Sequence, residues 1–300
     1  MRRPSGMPMF SRLLKSINVC FFLGFNTIIV SAISLPGRPN GGGSISFLLG
    51  LRGGINFSTP MLLQSYSLFS TTSSSTTANT KSYGKWYKNL GSQYGLIAMA
   101  QLSERLYVSI QPSIATHNFK YTGTYAWLNP QNTGEKTTLV YGHVQSLKYA
   151  EFPIVVREDI TKGEFTPYVQ AGAFYSFLQS GVQNVALTEV IGNGFTSNQV
   201  PEGTRSGSVT SQYIHTYLGL IVGGGISRKF DWAMVGLDLQ YKRGLHNITN
   251  KANRYNNQSL LGDTFDVPDD ISLNAWMISI NVIFSLKGNK PEKGPVKCPI

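Results

Sequence analysis

Hydrophobic and small polar residues alternate along much of the chain from residue 44 onward. Residues 275–286 place Trp276, Ile278, Ile280 and their apolar successors at every second position, with mainly Ser and Asn between them. Residues 44–58 and 232–246 follow the same rule. Because successive side chains of a strand point to opposite faces, this period of two predicts β-strands with one apolar and one small polar face.

Eight such segments are predicted as long strands. Most exceed the 5–6 residues of an ordinary globular strand and match or exceed the 9–11 that a tilted membrane strand needs. No apolar run after residue 34 is long enough for a transmembrane helix. The predicted strands cover about 44–58, 91–102, 106–121, 143–158, 164–181, 212–228, 232–248 and 272–287.

The connections between these segments alternate between long and short. Long loops are expected at 59–90, 122–142, 182–211 and 249–271, and short turns at 103–105, 159–163 and 228–231. Short periplasmic turns and long extracellular loops are typical of outer-membrane barrels. The sequence therefore predicts an all-β fold, an eight-stranded antiparallel up-and-down transmembrane β-barrel with both termini in the periplasm.

Aromatic residues near the strand ends are expected to form two girdles at the membrane interfaces. Tyr107, Tyr168, Phe230 and Trp232 fall toward the short turns. Those toward the long loops are Trp86, Tyr87, Tyr94, Tyr121, Tyr125 and Trp127.

The two ends of the chain are interpreted separately from the barrel. Residues 1–34 combine a basic start with an apolar run and small residues near Ala32, which predicts a signal peptide; an uncleaved membrane anchor is the alternative. The barrel is assigned to 35–286, and 287–300 to a periplasmic tail that is either inert or contacts a periplasmic partner or peptidoglycan. Cleavage would remove Cys20 and leave Cys298 alone, which excludes a disulfide scaffold and a Cys-based zinc module.

Charged and large polar residues recur on the face that should point into the lumen. An eight-stranded barrel is narrow and filled by side chains, and a charge inside it is costly unless it is paired. We therefore predict an interior polar network, although some members could instead lie in water at the rims. Its members are Arg52, Tyr149, Glu151, Asp238 and Gln240, with Arg157 and Lys242 on the same face.

Four histidines form a second candidate site. His117, His143, His215 and His246 all take the inward parity, about 12–15 residues from the nearest short turn, just beyond the ~10 residues that cross the hydrocarbon. They are predicted to ring the outer mouth of the lumen, where they could bind a transition metal or supply a general base. The alternative is that polar rim positions simply accept histidine.

Several strands resemble those of the PorT-like outer-membrane β-barrel family. The segments are 50–58 (GLRGGINFS), 147–154 (LKYAEFPI), 167–172 (PYVQAG) and 240–248 (QYKRGLHNI), which together span about 44–287. The resemblance implies a barrel in the outer membrane of Gram-negative bacteria, with one member serving a type IX secretion system and gliding machinery. It supplies no catalytic residues. Family members commonly end on the last strand, whereas here residues 287–300 follow it.

These features favour a non-enzymatic barrel that is structural, adhesive or accessory to a larger membrane or secretion complex. The alternative is a lipid-modifying hydrolase or acyltransferase with a His site at the rim. A diffusive pore is disfavoured because porins need about sixteen strands. No Gly-x-Ser-x-Gly, His-Glu-x-x-His or phosphate-loop motif occurs, and no cofactor is predicted.

The net charge of +11 does not indicate nucleic-acid binding. Four basic residues lie in 1–34 and four lysines in 287–300, so little of the excess falls on the barrel. The first loop is basic, with Lys81, Lys85 and Lys88. The last loop is acidic, with Asp263, Asp266, Asp269 and Asp270. The predicted partners are therefore outer-membrane lipid and other proteins of a membrane complex.

Overall fold

A computed structural model describes residues 46–67, 80–129, 132–192, 204–230, 232–257, 264 and 266–285. Within these ranges the chain forms antiparallel strands and three single 3₁₀ turns, at Trp86–Lys88, Thr210–Gln212 and Lys251–Asn253. The strands are β1 (Ser46–Gln64), β2 (Thr80–Tyr83), β3 (Leu90–Gln101), β4 (Leu106–Ile110), β5 (Ser113–Asn129), β6 (Asn132–Asp159), β7 (Phe165–Gly192), β8 (Thr204–Ser208), β9 (Thr216–Lys229), β10 (Ala233–Gly244) and β11 (Asp270–Ser285).

The sheet closes on itself. β1 pairs with β3 on one side and with β11 on the other, and β11 continues through β10, β9, β7 and β6 back to β4 and β5, which both pair with β3. β4 and β5 together make one barrel strand, interrupted where Pro112 lacks the N–H that a ladder requires. The ring therefore runs through eight strands, which confirms the predicted fold class.

The short connections all lie at one end of the ring, here called the turn end. Residues 102–105, 160–164 and 230–232 join successive strands there, and the opposite side is the loop end. Closure leaves no backbone edge along the ring, which is the condition for crossing a lipid bilayer.

Two of the expected long loops are mostly strand. Within 122–142, β5 continues to Asn129 and β6 begins at Asn132, so the two strands form one extended hairpin. Within 182–211, β7 continues to Gly192, and β8 returns to pair with its residues 182–186. β2 pairs with β5 in the same way. We call β2, β8 and the parts of β5, β6 and β7 at 121–129, 132–148 and 178–192 the upper sheet.

The prediction of loops failed here because β-branched and aromatic residues continue past the bilayer. Thr122, Thr124, Thr137 and Thr138 suit a pleated strand, and the inward set continues through Tyr121 and Tyr125. β2 and β8 then supply hydrogen-bond partners to strand edges that would otherwise be unpaired.

The outer surface of the ring is an apolar belt. Leu51, Leu237, Leu239 and Ile280 are each about half exposed although they are large and apolar. Aromatic pairs border the belt, with Phe230 6.4 Å from Trp232 at the turn end and Tyr241 4.8 Å from Trp276 toward the loop end. At about 3.3 Å per residue and a tilt of about 40°, Trp276 to Phe284 spans about 20 Å and Phe165 to Phe177 about 30 Å, which brackets the ~25 Å belt of membrane barrels.

Four of the predicted girdle tyrosines instead line the lumen. Tyr107, Tyr121, Tyr125 and Tyr168 are buried, because each takes the inward parity of its strand. Phe230, Trp232, Tyr87 and Tyr94 are exposed. The side chains of Trp86 and Trp127 lie outside the described residues.

The predicted signal peptide at 1–34 and the tail at 287–300 also lie outside the described residues. In the part of the chain that is described, no helix has the length and apolar character to span a bilayer.

Candidate functional site

The lumen is filled by charged and polar side chains arranged in three levels. They are almost fully buried, and an unpaired charge in such a place would cost several kcal/mol. The partners of each buried charge therefore define the site.

Arg157 forms the level nearest the turn end. Its guanidinium lies 2.8 Å from Asp159 and 2.7 Å from Ser227 Oγ. The ring of Tyr168 lies under the same group at 3.5 Å, a cation–π contact. Gly225 permits this packing, since a Cβ there would lie 2.6 Å from the Tyr168 hydroxyl.

Arg52 and Asp238 meet at the middle level, 3.7 Å apart. The Arg52 guanidinium also donates to Ser279 Oγ at 3.0 Å and to the side-chain oxygen of Gln111. Both partners are buried, so neither is solvated at a rim as the alternative interpretation would have it.

Glu151 is paired with two groups that the predicted network did not assign to it. One carboxylate oxygen accepts from Lys242, and the other lies 3.0 Å from His117 Nε2. Lys242 donates in addition to Gln93 Oε1 at 3.0 Å. Lys242 was placed on the inward face from parity, but parity carries no information about which acid it reaches.

Tyr149 and Gln240 lie in the lumen without joining this hydrogen bonding. The Tyr149 ring packs against Tyr217 at 4.9 Å and His117 at 5.9 Å. Within the described residues the Tyr149 hydroxyl and the Gln240 amide have no hydrogen-bond partner. The structure thus brings Arg52 and Asp238 together, puts Glu151 in a separate cluster, and leaves Tyr149 and Gln240 as packing groups.

The four histidines do not converge. His117 and His143 are buried in the lumen in different surroundings, whereas His215 and His246 are exposed. β9 begins at Thr216 and β10 ends at Gly244, so His215 and His246 lie just outside their strands, where strand parity no longer sets side-chain direction. The predicted ring of four is therefore wrong. No group of three metal-ligating side chains occurs among the residues described.

His117 instead links a serine to an acid. Ser58 Oγ lies 2.9 Å from its Nδ1, and Glu151 lies on its Nε2. We call Ser58, His117, Glu151 and Lys242 the buried polar chain. Hydrolase triads place serine on Nε2 and the acid on Nδ1, the reverse of this order.

Access to the buried polar chain is closed. Ser58 and Glu151 are fully buried and His117 is 1% exposed, so the serine hydroxyl meets neither lipid nor solvent. A lipid-modifying site would need its serine on an open cleft. The arrangement accounts for paired charges in the lumen and keeps the serine hydroxyl buried.

At the loop end, β2 and the last loop are joined by ion pairs and hydrogen bonds. Lys81 lies 2.9 Å from Asp266 and 3.4 Å from Asp269, and the Tyr83 hydroxyl donates to Asp269 at 2.8 Å. The Tyr121 hydroxyl donates to Asp266 at 2.5 Å. We call this set the loop-end lock. The sequence shows that the first loop is basic and the last loop acidic, but it does not indicate which lysine contacts which aspartate.

The loop-end lock lies beyond the apolar belt and shifts the pKa values of Asp266 and His143. Burial alone would raise the pKa of Asp266, but Lys81, His143 and the Tyr121 hydroxyl lower it to about 2. Burial lowers the pKa of His143, opposed by Asp266 at 3.7 Å. The ring centroids of His143 and Tyr121 are stacked 4.5 Å apart, and His143 Nδ1 is hydrogen-bonded to Gln183 Nε2. The His143 ring is therefore held by stacking and hydrogen bonding rather than left free to act as a general base.

Arg254 ties the last loop to β11 and to the segment that follows β1. Arg254 is bonded to Asp270 and lies 3.3 Å from the centre of the Tyr66 ring. Together with the loop-end lock, this contact fastens Arg254, Asp266 and Asp269 to neighbouring parts of the chain.

Comparison with known proteins gives likeness to solved structures alone. No family model and no curated protein matches the chain. The attachment invasion locus protein Ail of Yersinia pestis, solved with the heparin analogue sucrose octasulfate, is 10% identical, with 79% of this chain and 99% of that one covered and a TM-score of 0.32. OprG of Pseudomonas aeruginosa is 12% identical over 81% and 98%, with a TM-score of 0.37. Neisserial surface protein A is 10% identical over 80% and 99%, with a TM-score of 0.30.

Proposed function

We propose that this protein is a non-enzymatic outer-membrane β-barrel that anchors the upper sheet outside the cell as a docking surface for a larger membrane or secretion complex. The turn end faces the periplasm and the loop end faces the medium, as short turns and long extensions do in bacterial barrels. The observation that carries the proposal is a sealed lumen beneath a long sheet that projects past the apolar belt.

The sealed lumen argues against a transport role. Arg157, Arg52 and Lys242 lie at successive levels with buried acids beside them, so an ion would have to displace paired charges. The surface available for binding is therefore the outside of the barrel and the upper sheet.

The upper sheet is built to be rigid. β6 and β7 pair almost continuously from the turn end to Gly192, and β2 and β8 cover the outer edges of β5 and β7. A sheet braced in this way can present a surface at low entropic cost on binding. An accessory role in a type IX-like complex is the specific form that the PorT-like resemblance suggests.

The hydrolase alternative rests on one observation, the Ser58–His117–Glu151 contact. A fluorophosphonate probe tests it directly. We expect no labelling of the folded barrel. Labelling that the Ser58→Ala variant abolishes would favour the hydrolase.

The proposed function is tested by affinity purification from detergent-extracted outer membranes, with the tag on the barrel and mass spectrometry of what co-purifies. The control is a shortened variant in which residues 124–140 are replaced by Asn-Gly. We expect defined membrane proteins with the full-length chain and their loss with the shortened variant. Recovery of the barrel alone, or the same partners from both, would overturn the docking role.

A further inference from the structure

Among the residues that the structure describes, exposed charges are distributed unevenly between the two ends of the barrel. At the loop end, every exposed charged side chain that the structure describes is basic: Lys85, Lys88, Lys120, Lys148, Arg205, Arg243 and Lys251. The acids described there, Asp266, Asp269 and Asp270, are buried. Exposed acids lie at the turn end, where Glu104 and Glu164 pair with Lys162 and Arg228.

Three of these lysines, Lys88, Lys120 and Lys148, lie on the outside of the barrel on neighbouring elements. The Gly84 N–H donates to the Lys120 carbonyl at 2.7 Å, which holds the turn carrying Lys88 against β5. β5 is the direct neighbour of β6, with Thr116 opposite Lys148. We call these three residues the lysine arc. None of them forms an ion pair with the residues described.

Their parity turns them away from the lumen. On β5 the odd positions, including His117 and Tyr121, are buried inside, and Lys120 takes the opposite face. On β6, Tyr149 points inward and Lys148 outward. The lysine arc therefore faces the surroundings of the barrel and adds nothing to the interior pairing.

The lysine arc lies at and above the upper border of the apolar belt. With about 3.3 Å per residue and a tilt of about 40°, Lys148 lies about 28 Å and Lys120 about 35 Å from the turn end, whereas the belt extends about 20–30 Å. Exposed Leu90 and Tyr94 lie on β3 just below Lys88. This height is that of the outer-leaflet headgroups, where a lysine extends its ammonium to the interface.

We propose that the lysine arc binds the phosphate groups of the glycolipid that forms the outer leaflet. An ammonium is a compact donor suited to phosphate, and basic residues near an anionic lipid surface are attracted to it electrostatically. Contact with the apolar belt favours a lipid over a soluble polyanion, because acyl chains and phosphates are then bound together. The proposal rests on the proposed orientation of the loop end toward the outer leaflet.

The test is native mass spectrometry of the full chain refolded in detergent and titrated with bisphosphorylated lipid A or with the same lipid after dephosphorylation. We expect the wild type to prefer the phosphorylated lipid at least tenfold. The variant K88Q/K120Q/K148Q should lose that preference. The matched control R105Q/K162Q/R228Q, which removes the same charge at the turn end, should keep it.

Equal binding of both lipids by the wild type overturns the proposal, and this comparison needs no variant. A preference retained by K88Q/K120Q/K148Q, or lost equally in the control, also overturns it. The heat-modifiable shift on gels shows that each sample is folded. If the folded barrel shows no preference for the phosphorylated lipid, the lipid proposal is overturned but the docking function is not. If no partner co-purifies, the docking function is overturned but the lipid site is not.

Discussion

Glu151 illustrates how single residues hold the lumen together. Its two carboxylate oxygens contact Lys242 and His117, and it is fully buried. Sequence parity put Glu151 and Lys242 on the same inner face. Their contact depends on the register of strands far apart in the chain, which parity does not give.

Glu151→Gln is expected to lower the free energy of unfolding by about 3–5 kcal/mol, because it leaves the Lys242 ammonium buried without a counter-charge. Urea titration in micelles, followed by tryptophan fluorescence, measures the change. Glu158→Gln, at an exposed position on the same strand, is the control and should shift the midpoint little. A Glu151→Gln barrel as stable as the wild type would refute the paired interior.

Asp266 gives a pH dependence with a definite sign. Its pKa is about 2 in the folded protein against an ordinary 3.8, so it stabilises the loop-end lock fully above about pH 4. That stabilisation is lost as the pH falls toward 2. Limited proteolysis between pH 2 and 6 should show the last loop opening only at the acid end, and Asp266→Asn should remove the pH step. Opening already near pH 6 would contradict this assignment.

Among the elements, β2 and the last loop act as one unit. Lys81→Met should release both, since Lys81 bridges Asp266 and Asp269. Hydrogen exchange is expected to rise about tenfold or more at 80–83 and 266–269, with little change along β10 and β11. Lys251→Met is the control, because Lys251 is 69% exposed and its bond to Asp270 is backed by Arg254. Equal increases in hydrogen exchange for both variants would show that the loop-end lock does not stabilise β2 and the last loop locally.

The end of the β5–β6 hairpin in the upper sheet should be dispensable for the barrel itself. Gly123 and Tyr141 are opposite one another, so Asn-Gly in place of 124–140 closes a tight hairpin between them. We expect the shortened chain to fold and keep its heat-modifiable shift, because the ring pairings lie below this point. Failure to fold would mean that the extension is part of the barrel's core.

These elements also mark the limit of the strand prediction. Its turns were found because a charged or glycine-containing break follows each strand, as at Glu104 and Gly163. Residues 122–142 were assigned to a loop because a membrane strand is complete by then. The alternation of apolar and polar residues indicates which face of a strand a side chain occupies. It does not indicate where along the strand the bilayer ends.

For the molecule as a whole, the filled lumen should block ion flow. In a planar bilayer we expect no steady conductance above background for the wild type, while a sixteen-stranded porin in the same bilayer conducts. Stable single-channel steps that vary with Arg52 or Arg157 substitutions would show that the interior opens.

The sequence by itself determined the class of fold, the inward and outward faces, and the turn end of the barrel. All three follow from a period of two and from strand length, which are local properties. Only the tertiary structure decided which charges meet, that the histidines separate, that two loops continue as sheet, and that the lysine arc lies at the upper border of the belt. Those facts depend on the stagger between strands around a closed ring, and stagger is fixed by the summed pairing and packing of all eight strands.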